Sequence, residues 1–587
     1  MNLMNFLKQI ETLTAQYSIE QLSIFIRDIG RVLPEEHRED FLQRLKTIGE
    51  EKKTPDRDES ENVAFYKTYQ LVRENLKKID SQEVTVTAIL NEEYDDWYDD
   101  CGEEFFYEDE NGISDMLAEA CIFVHTCMDE ERYKEGFEVG RQLFSMEILC
   151  LNEYGDEELS IGDMEEHELL HCNMKQVILD TLYCAYRATT VKERPEVLYE
   201  VFANAGNREI TLESIMQHGN EDLPDFQEFL EKWILYLGDK TGYDADRLFL
   251  EAVSLLDHVS TACKYAAKFV DTHPRLYLKI LENENFADLK TMISIGIQAI
   301  QTIPKKYVVR SRAALKTAEY IIRLDEQKDL LEMCYFSAYE SDTSVMNYIR
   351  ALLNGYETKR EELRKVFVSL TVNESRSSFG WTERNNSLFE RQENQPGRNT
   401  ILMLRFFDGQ FAEVLNKGLN TSEALGWTGT FMKQGIALYM LYLYEGKWHD
   451  KGISAMADIV KTEMGFSVEE YQKGLPEISD ATQSDLFYSV FSKWKSMIGM
   501  EPNVRTRAIE KIKGLLEKRT EGIMNANRRN YYGECAAYIA ALGEVQESMG
   551  DKGAKQRLMT SYKDKYSRRS AFRTEMKDYG WKDVKKK

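Results

Sequence analysis

Residues 286–302 read FADLKTMISIGIQAIQT, and residues 306–324 read KYVVRSRAALKTAEYIIRL. In the first stretch Phe286, Leu289, Ile293, Ile297 and Ile300 recur at steps of three and four. Leu315, Ala318, Ile321 and Ile322 do the same in the second. That spacing puts one apolar stripe on each of two helices, with Pro304 at their joint, where a missing amide hydrogen costs little. A helix with one apolar stripe cannot bury it alone, so its neighbours must stack on it. The same pattern continues through most of a chain with only nine prolines in 587 residues. It predicts an all-α protein: an irregular α-solenoid of stacked antiparallel helix pairs, in one array or two sub-arrays.

Outward from these two segments, residues 1–50 read as about three helices, with Ser18 and Gln21 forming a capping box before Ile19–Ile29. Pro34 sits at a first-turn position before Glu35–Ile48. The polar run 50–62 is a linker. A main array over 63–370 begins with Val63–Ile79 and continues with Asp115–Cys127, Glu131–Ile148, Met164–Arg187 and Pro195–Ala205, down to Glu357–Leu370, where Thr358 and Glu361 form another capping box. An insertion at 91–110 carries eleven acids, no Lys or Arg, and six aromatics, among them Tyr94, Trp97 and Tyr98. Those rings mark it as a segment that docks, first of all on the protein's own surface. Residues 371–400 break the periodicity and are the expected boundary. A second array over 401–587 ends in Tyr531–Met549 and Lys552–Tyr566, where Gly533, Ala536, Ala537, Ala540 and Ala541 let another helix come close.

The net charge is −26. From Glu501 onward, 21 Lys+Arg face 12 Asp+Glu, a balance of +9 that leaves −35 for the rest. An acidic body repels phosphate, which argues against general affinity for nucleic acid or an anionic membrane. The longest nearly apolar run, Ile436–Tyr444, falls far short of the roughly 20 residues a membrane helix needs. No secretion signal opens the chain. Nine cysteines without a CxxC pair suit thiols in a reducing compartment. The expectation is a cytoplasmic protein with no membrane partner and no cofactor.

The tail YYGECAAYIAALGEVQESMGDKGAKQRLMTSYKDKYSRRSAFRTEM resembles the closing hairpin of bacterial helical-repeat proteins of the TPR and HEAT kind, including arrays that accompany SWIM zinc fingers. The segment GISDMLAEACIFVHTCMDEERYKEGFEVGRQLF is similar to an earlier part of such arrays. The zinc-binding CxC…CxH motif of the SWIM module is absent, so the resemblance implies a repeat architecture and no metal or nucleic-acid role.

One catalytic pattern occurs, His167-Glu168-Leu169-Leu170-His171. On a helix, His167 and His171 would share a face and hold one Zn²⁺ while Glu168 activated a bound water. No third ligand follows at a recognised spacing, and two histidines on a partly buried helix face are the favoured account of the match. The sequence has no phosphate-cradling glycine loop and no nucleophile elbow. Asp95, Asp96, Asp99 and Asp100 lack the alternating ligands of a calcium loop. His125 and Cys127, two apart near a helix end, form too common a pair to mark a ligand site. At the basic end Arg568 and Arg569 alternate with tyrosines, a pattern that binds single strands or packs a last hairpin.

The expected function is non-catalytic: an intracellular scaffold that binds a protein partner on an acidic helical-repeat surface. A zinc-dependent hydrolase using His167, Glu168 and His171 is the alternative, and nucleic-acid binding through the C-terminal helices is the second.

Overall fold

A computed structural model describes residues 13–14, 16–32, 34, 38, 41–42, 59–90, 105–153, 155–206, 210–219, 222–256, 258–370, 391–421, 423–476 and 483–583. The fold is predominantly helical and divides into two compact units, Met1–His258 and Val259–Lys587.

In the first unit the elements run α1 (Ile19–Val32), α2 (Glu59–Asp80), β1 (Val86–Leu90), β2 (Phe105–Glu108), α3 (Ile113–Asp129), α4 (Tyr133–Ser145), β3 (Ile148–Asn152), β4 (Glu157–Leu159), α5 (Ile161–Glu166), α6 (Met174–Ala188), α7 (Arg194–Asn204), α8 (Leu212–His218), α9 (Phe226–Gly238) and α10 (Tyr243–Ser254). The capping box at Ser18 forms as expected: Ser18 N–H donates to Gln21 Oε1 at 2.8 Å and Gln21 N–H to Ser18 Oγ at 3.3 Å. Of the expected helix Glu35–Ile48 only residues 38, 41 and 42 are described, and all three are helical.

Helix α6 is the centre of this unit. Every residue from Val177 to Tyr186 is buried, so α6 is enclosed on all sides, with α3, α4, α7 and α8 packed around it. The α4 contact is close because Gly140 has no side chain: a Cβ there would lie 2.3 Å from Thr181 Oγ1. Buried Thr181 donates its hydroxyl to Val177 O at 2.8 Å, so the crossing leaves no unmade hydrogen bond.

The all-α class holds, with one addition the sequence reading did not include, a small four-stranded sheet in the order β2-β1-β3-β4. β1 pairs antiparallel with β2 and parallel with β3, and β3 pairs antiparallel with β4. Three of the strands were hidden by their setting. Ile148 continues the stripe of the preceding helix, while Phe105–Glu108 and Glu157–Leu159 lie in acidic surroundings that strands disfavour. Only non-local pairing selects the extended state for such short runs. Val86, Ala88, Ile148, Cys150 and Leu159 are buried on the inner face. On the outer face Ile89 opposes Phe106 and Thr87 opposes Leu151; Ile89, Phe106 and Leu151 are exposed apolar residues.

The second unit contains α11 (Val259–Lys268), α12 (Leu276–Glu282), α13 (Leu289–Thr302), α14 (Val308–Leu324), α15 (Leu330–Ser341), α16 (Val345–Leu353), α17 (Arg360–Val368), α18 (Arg398–Phe407), α19 (Phe411–Lys417), α20 (Met432–Leu443), α21 (Lys451–Met464), α22 (Val468–Gln472), α23 (Gln483–Met497), α24 (Pro502–Asn525), a 3-10 turn (Arg529–Tyr531), α25 (Tyr532–Ser548), α26 (Ala554–Lys565) and α27 (Ser570–Asp578). Helices α13 and α14 are the pair read first from the sequence; they pack on each other, and α14 packs in turn on α15. Packing on sequence neighbours is the solenoid-like habit the stripes predict. The short helices α8, α22 and α27 were not anticipated. The Thr358 capping box does not form: the chain turns at Tyr356, whose carbonyl accepts from Lys359 N–H at 3.1 Å. Lys359 then occupies the N-cap without a side-chain bond.

The helices on the two sides of the expected connection 371–400 belong to one compact unit. Helices on both sides of it join one buried carboxylate, Asp408 just past α18, which accepts from Arg364 Nε at 2.5 Å, Gln410 Nε2 at 2.7 Å and Tyr348 Oη at 3.1 Å. Both arrays therefore share interior over 345–408, and the division falls instead at His258. Residues 371–390 lie outside the described residues.

The small-residue face of α25 meets α21. A Cβ on Gly452 would lie 2.4 Å from Ala541 N and 2.8 Å from the Ala540 carbonyl carbon. Backbone cannot swing away as a side-chain end can, so Gly452→Ala should force the two helices apart and cost about 1–3 kcal/mol. A urea melt of the purified variant checks this; an unchanged midpoint would mean that the helices separate freely.

Candidate functional site

Helix α6 carries a carboxylate into the interior of the first unit. Asp180 is fully buried and each of its oxygens has an imidazole partner. Oδ2 faces His125 Nδ1 at 3.0 Å, and Oδ1 faces His218 Nε2 at 2.6 Å. Gln176, one turn earlier on α6, donates to Oδ1 at 3.3 Å. A carboxylate oxygen is a natural acceptor for a ring N–H, and each oxygen here faces one ring. His125 comes from α3 and His218 ends α8, and one buried charge therefore ties three helices together.

The two rings differ in surroundings. His218 has 8% of its side chain exposed and His125 has 47%. Tyr183 stands edge-on to His218, ring centres 6.3 Å apart; burial pushes its phenol above the usual range. Gly219 leaves room for that ring, since a Cβ there would lie 2.2 Å from it. With Nδ1 held by Asp180, His125 turns its Nε2 to the surface, 3.6 Å from Asp129. This fixed imidazole can offer a hydrogen bond to something outside. The sequence offered little warning: Asp180 occupies one position in an apolar helix, and its partners lie 55 and 38 residues away.

The HELLH run is placed differently from the expectation. It is not helical, because α5 ends at Glu166 and α6 begins at Met174, which splits the expected helix Met164–Arg187. His167 is the C-cap of α5, and Glu168 adopts a left-handed conformation with φ 58°. Leu169 N–H donates to Met164 O at 2.9 Å and Glu168 N–H to Glu165 O at 3.0 Å. That pair of bonds is a Schellman stop, which usually has glycine where Glu168 stands. Leu170 is buried, and the ring of His167 stacks on Tyr107 of β2 with centres 4.1 Å apart. The shared helix face on which a zinc reading of His167, Glu168 and His171 depends is therefore missing. Among the described residues, no group of three or more His, Cys, Asp or Glu is placed to hold one metal ion. Glu168→Gly relieves the left-handed strain and should stabilise the first unit by about 0.5–1 kcal/mol, read as a rise in melting temperature. A fall would show that the Glu168 side chain has a further role.

Of the acidic–aromatic insertion, Tyr94, Trp97 and Tyr98 lie outside the described residues, as do the four neighbouring aspartates. Its described end docks on the chain itself: Phe105–Glu108 is strand β2, Tyr107 covers His167, and Asp109 caps α3 by accepting from Ile113 N–H at 2.8 Å and Ser114 N–H at 2.7 Å. At the basic end, Tyr532, Tyr562 and Phe572 belong to one buried cluster. Arg569 donates to Met524 O at 2.7 Å and Asn527 Oδ1 at 2.6 Å, and Arg568 is exposed. The aromatic residues thus pack the last helices, and the base-stacking pattern read from the sequence is mostly interior. No helix among the described residues is long and apolar enough to cross a membrane. The sequence matches no protein-family model and no curated protein.

Proposed function

We propose that this chain is a non-catalytic cytoplasmic binding protein whose first unit engages a basic protein partner. The observation that carries the reading is how charge divides between the units. Residues 1–258 hold 24 Lys+Arg against 59 Asp+Glu, a net −35. Residues 259–500 are balanced at 30 against 30, and the +9 of residues 501–587 is all the second unit carries. A unit so charged repels itself, and a basic partner relieves that repulsion while being steered to it. The exposed sheet face of Ile89, Phe106 and Leu151 adds apolar surface inside the acidic unit, and a stable complex needs such surface beyond charge.

The test is in-cell crosslinking of the full chain followed by mass spectrometry, with the recovered partner then titrated at rising salt. The reading expects crosslinks within residues 1–258, a partner of basic isoelectric point, and affinity that falls steeply between 50 and about 200 mM salt. A neutral or acidic partner crosslinked to residues 259–587 with salt-independent affinity would overturn it.

A further inference from the structure

The HELLH turn runs on into Cys172, and this thiol does not stand alone. Its Sγ lies 3.8 Å from Cys121 Sγ on α3, and 3.2 Å from Met174 Sδ at the start of α6. Cys121 is buried in a helix, whereas Cys172 is half-exposed in the irregular stretch between α5 and α6. The two thiols are 51 residues apart in sequence; only the tertiary structure brings them together.

We infer that Cys121 and Cys172 form a redox-responsive dithiol, closed to an internal disulfide by low-molecular-weight disulfides such as oxidised glutathione. Geometry assigns the order of events. Cys172 is the accessible sulfur, and it sits on non-helical backbone that can supply the roughly 2 Å of approach a disulfide needs. Cys121 is buried and held by its helix, and its hydrogen bond with Cys172 and its burial push its thiol well above the usual range, so the half-exposed Cys172 is the sulfur that meets a small disulfide first. The Cys172 thiolate attacks the small disulfide, forming a mixed disulfide and expelling one small thiolate. Cys121 then loses its proton to solvent and attacks the Cys172 sulfur, expelling the second. Two protein thiols are oxidised, one small disulfide is reduced to two thiols, and the released protons go to those thiolates. The product clamps the turn containing His167 and His171 onto α3, one helical turn from His125. Oxidation would thereby restrain the surface around the Asp180-bound imidazole, whatever partner the protein binds.

The test uses the full chain equilibrated in reduced and oxidised glutathione, quenched by alkylation and mapped by mass spectrometry. A Cys121–Cys172 linked peptide is expected, with loss of two hydrogens, and dithiothreitol should reverse it. Cys127, Cys150 and Cys184, all buried, should stay alkylatable after denaturation. Cys172→Ser should abolish the link completely, and Cys121→Ala should leave Cys172 trapped as the mixed disulfide with glutathione. Because Cys172 is half-exposed, its serine variant is the safer test if the buried substitution unfolds the unit. The inference is overturned if the unmutated chain accumulates glutathione on Cys172 while Cys121 stays reduced. Half-exposed Cys263 reacting while Cys172 does not would overturn it equally.

Discussion

Asp180→Ala should destabilise the first unit by about 3–5 kcal/mol, the range for removing one partner from a buried charged network. The loss is large because the carboxylate is the shared acceptor of His125, His218 and Gln176. The small side chain also leaves a void against α3 and α8. Asp180→Asn keeps the volume and one acceptor oxygen, so a smaller loss is expected. Hydrogen exchange over α3, α6 and α8, compared between the variants, reads this directly. If Asp180→Ala costs less than about 1 kcal/mol, water is already sharing the load and the site is more open than it looks.

Asp408→Ala should be comparably damaging in the second unit, again about 3–5 kcal/mol. Asp408 is buried and receives Arg364, Gln410 and Tyr348, with Arg360 Nε at 3.5 Å. These donors come from α16, α17 and the turn between α18 and α19, and Asp408 itself ends α18, so the loss should appear as faster exchange in α16, α17 and α18 together. Exchange confined to α18 would mean that the residues before 371 form a separate cooperative unit. That outcome would restore the boundary expected from the sequence. Tyr348 also loses its acceptor in this variant, and its burial makes an unpaired hydroxyl costly.

How far the sequence could be read follows from the range of the interactions involved. Helix stripes are local, so α13 and α14 could be drawn within two or three residues from their periodicity. The Ser18 capping box was legible for the same reason, since both partners lie within one turn. HELLH shows where locality misleads: its residue types suit a metal helix, yet Leu170 buries itself and Glu168 takes a left-handed turn that stops α5. The sheet was missed because its strands are three to five residues long and become strands only through each other. Asp180 was missed because nothing beside it in the chain announces that two histidines will arrive from other helices.

The amino-acid order by itself determined the helical class, the small-residue face of α25 and the strong acidity of the first half. Each of these is set by neighbours a few positions apart or by composition. Only the tertiary structure decided that the acid belongs to a folded unit ending at His258, that helices on both sides of 371–400 meet at Asp408, and that Asp180 and the Cys121–Cys172 pair each gather partners tens of residues apart. Such contacts depend on which helix faces meet, and that choice is made by packing the whole unit.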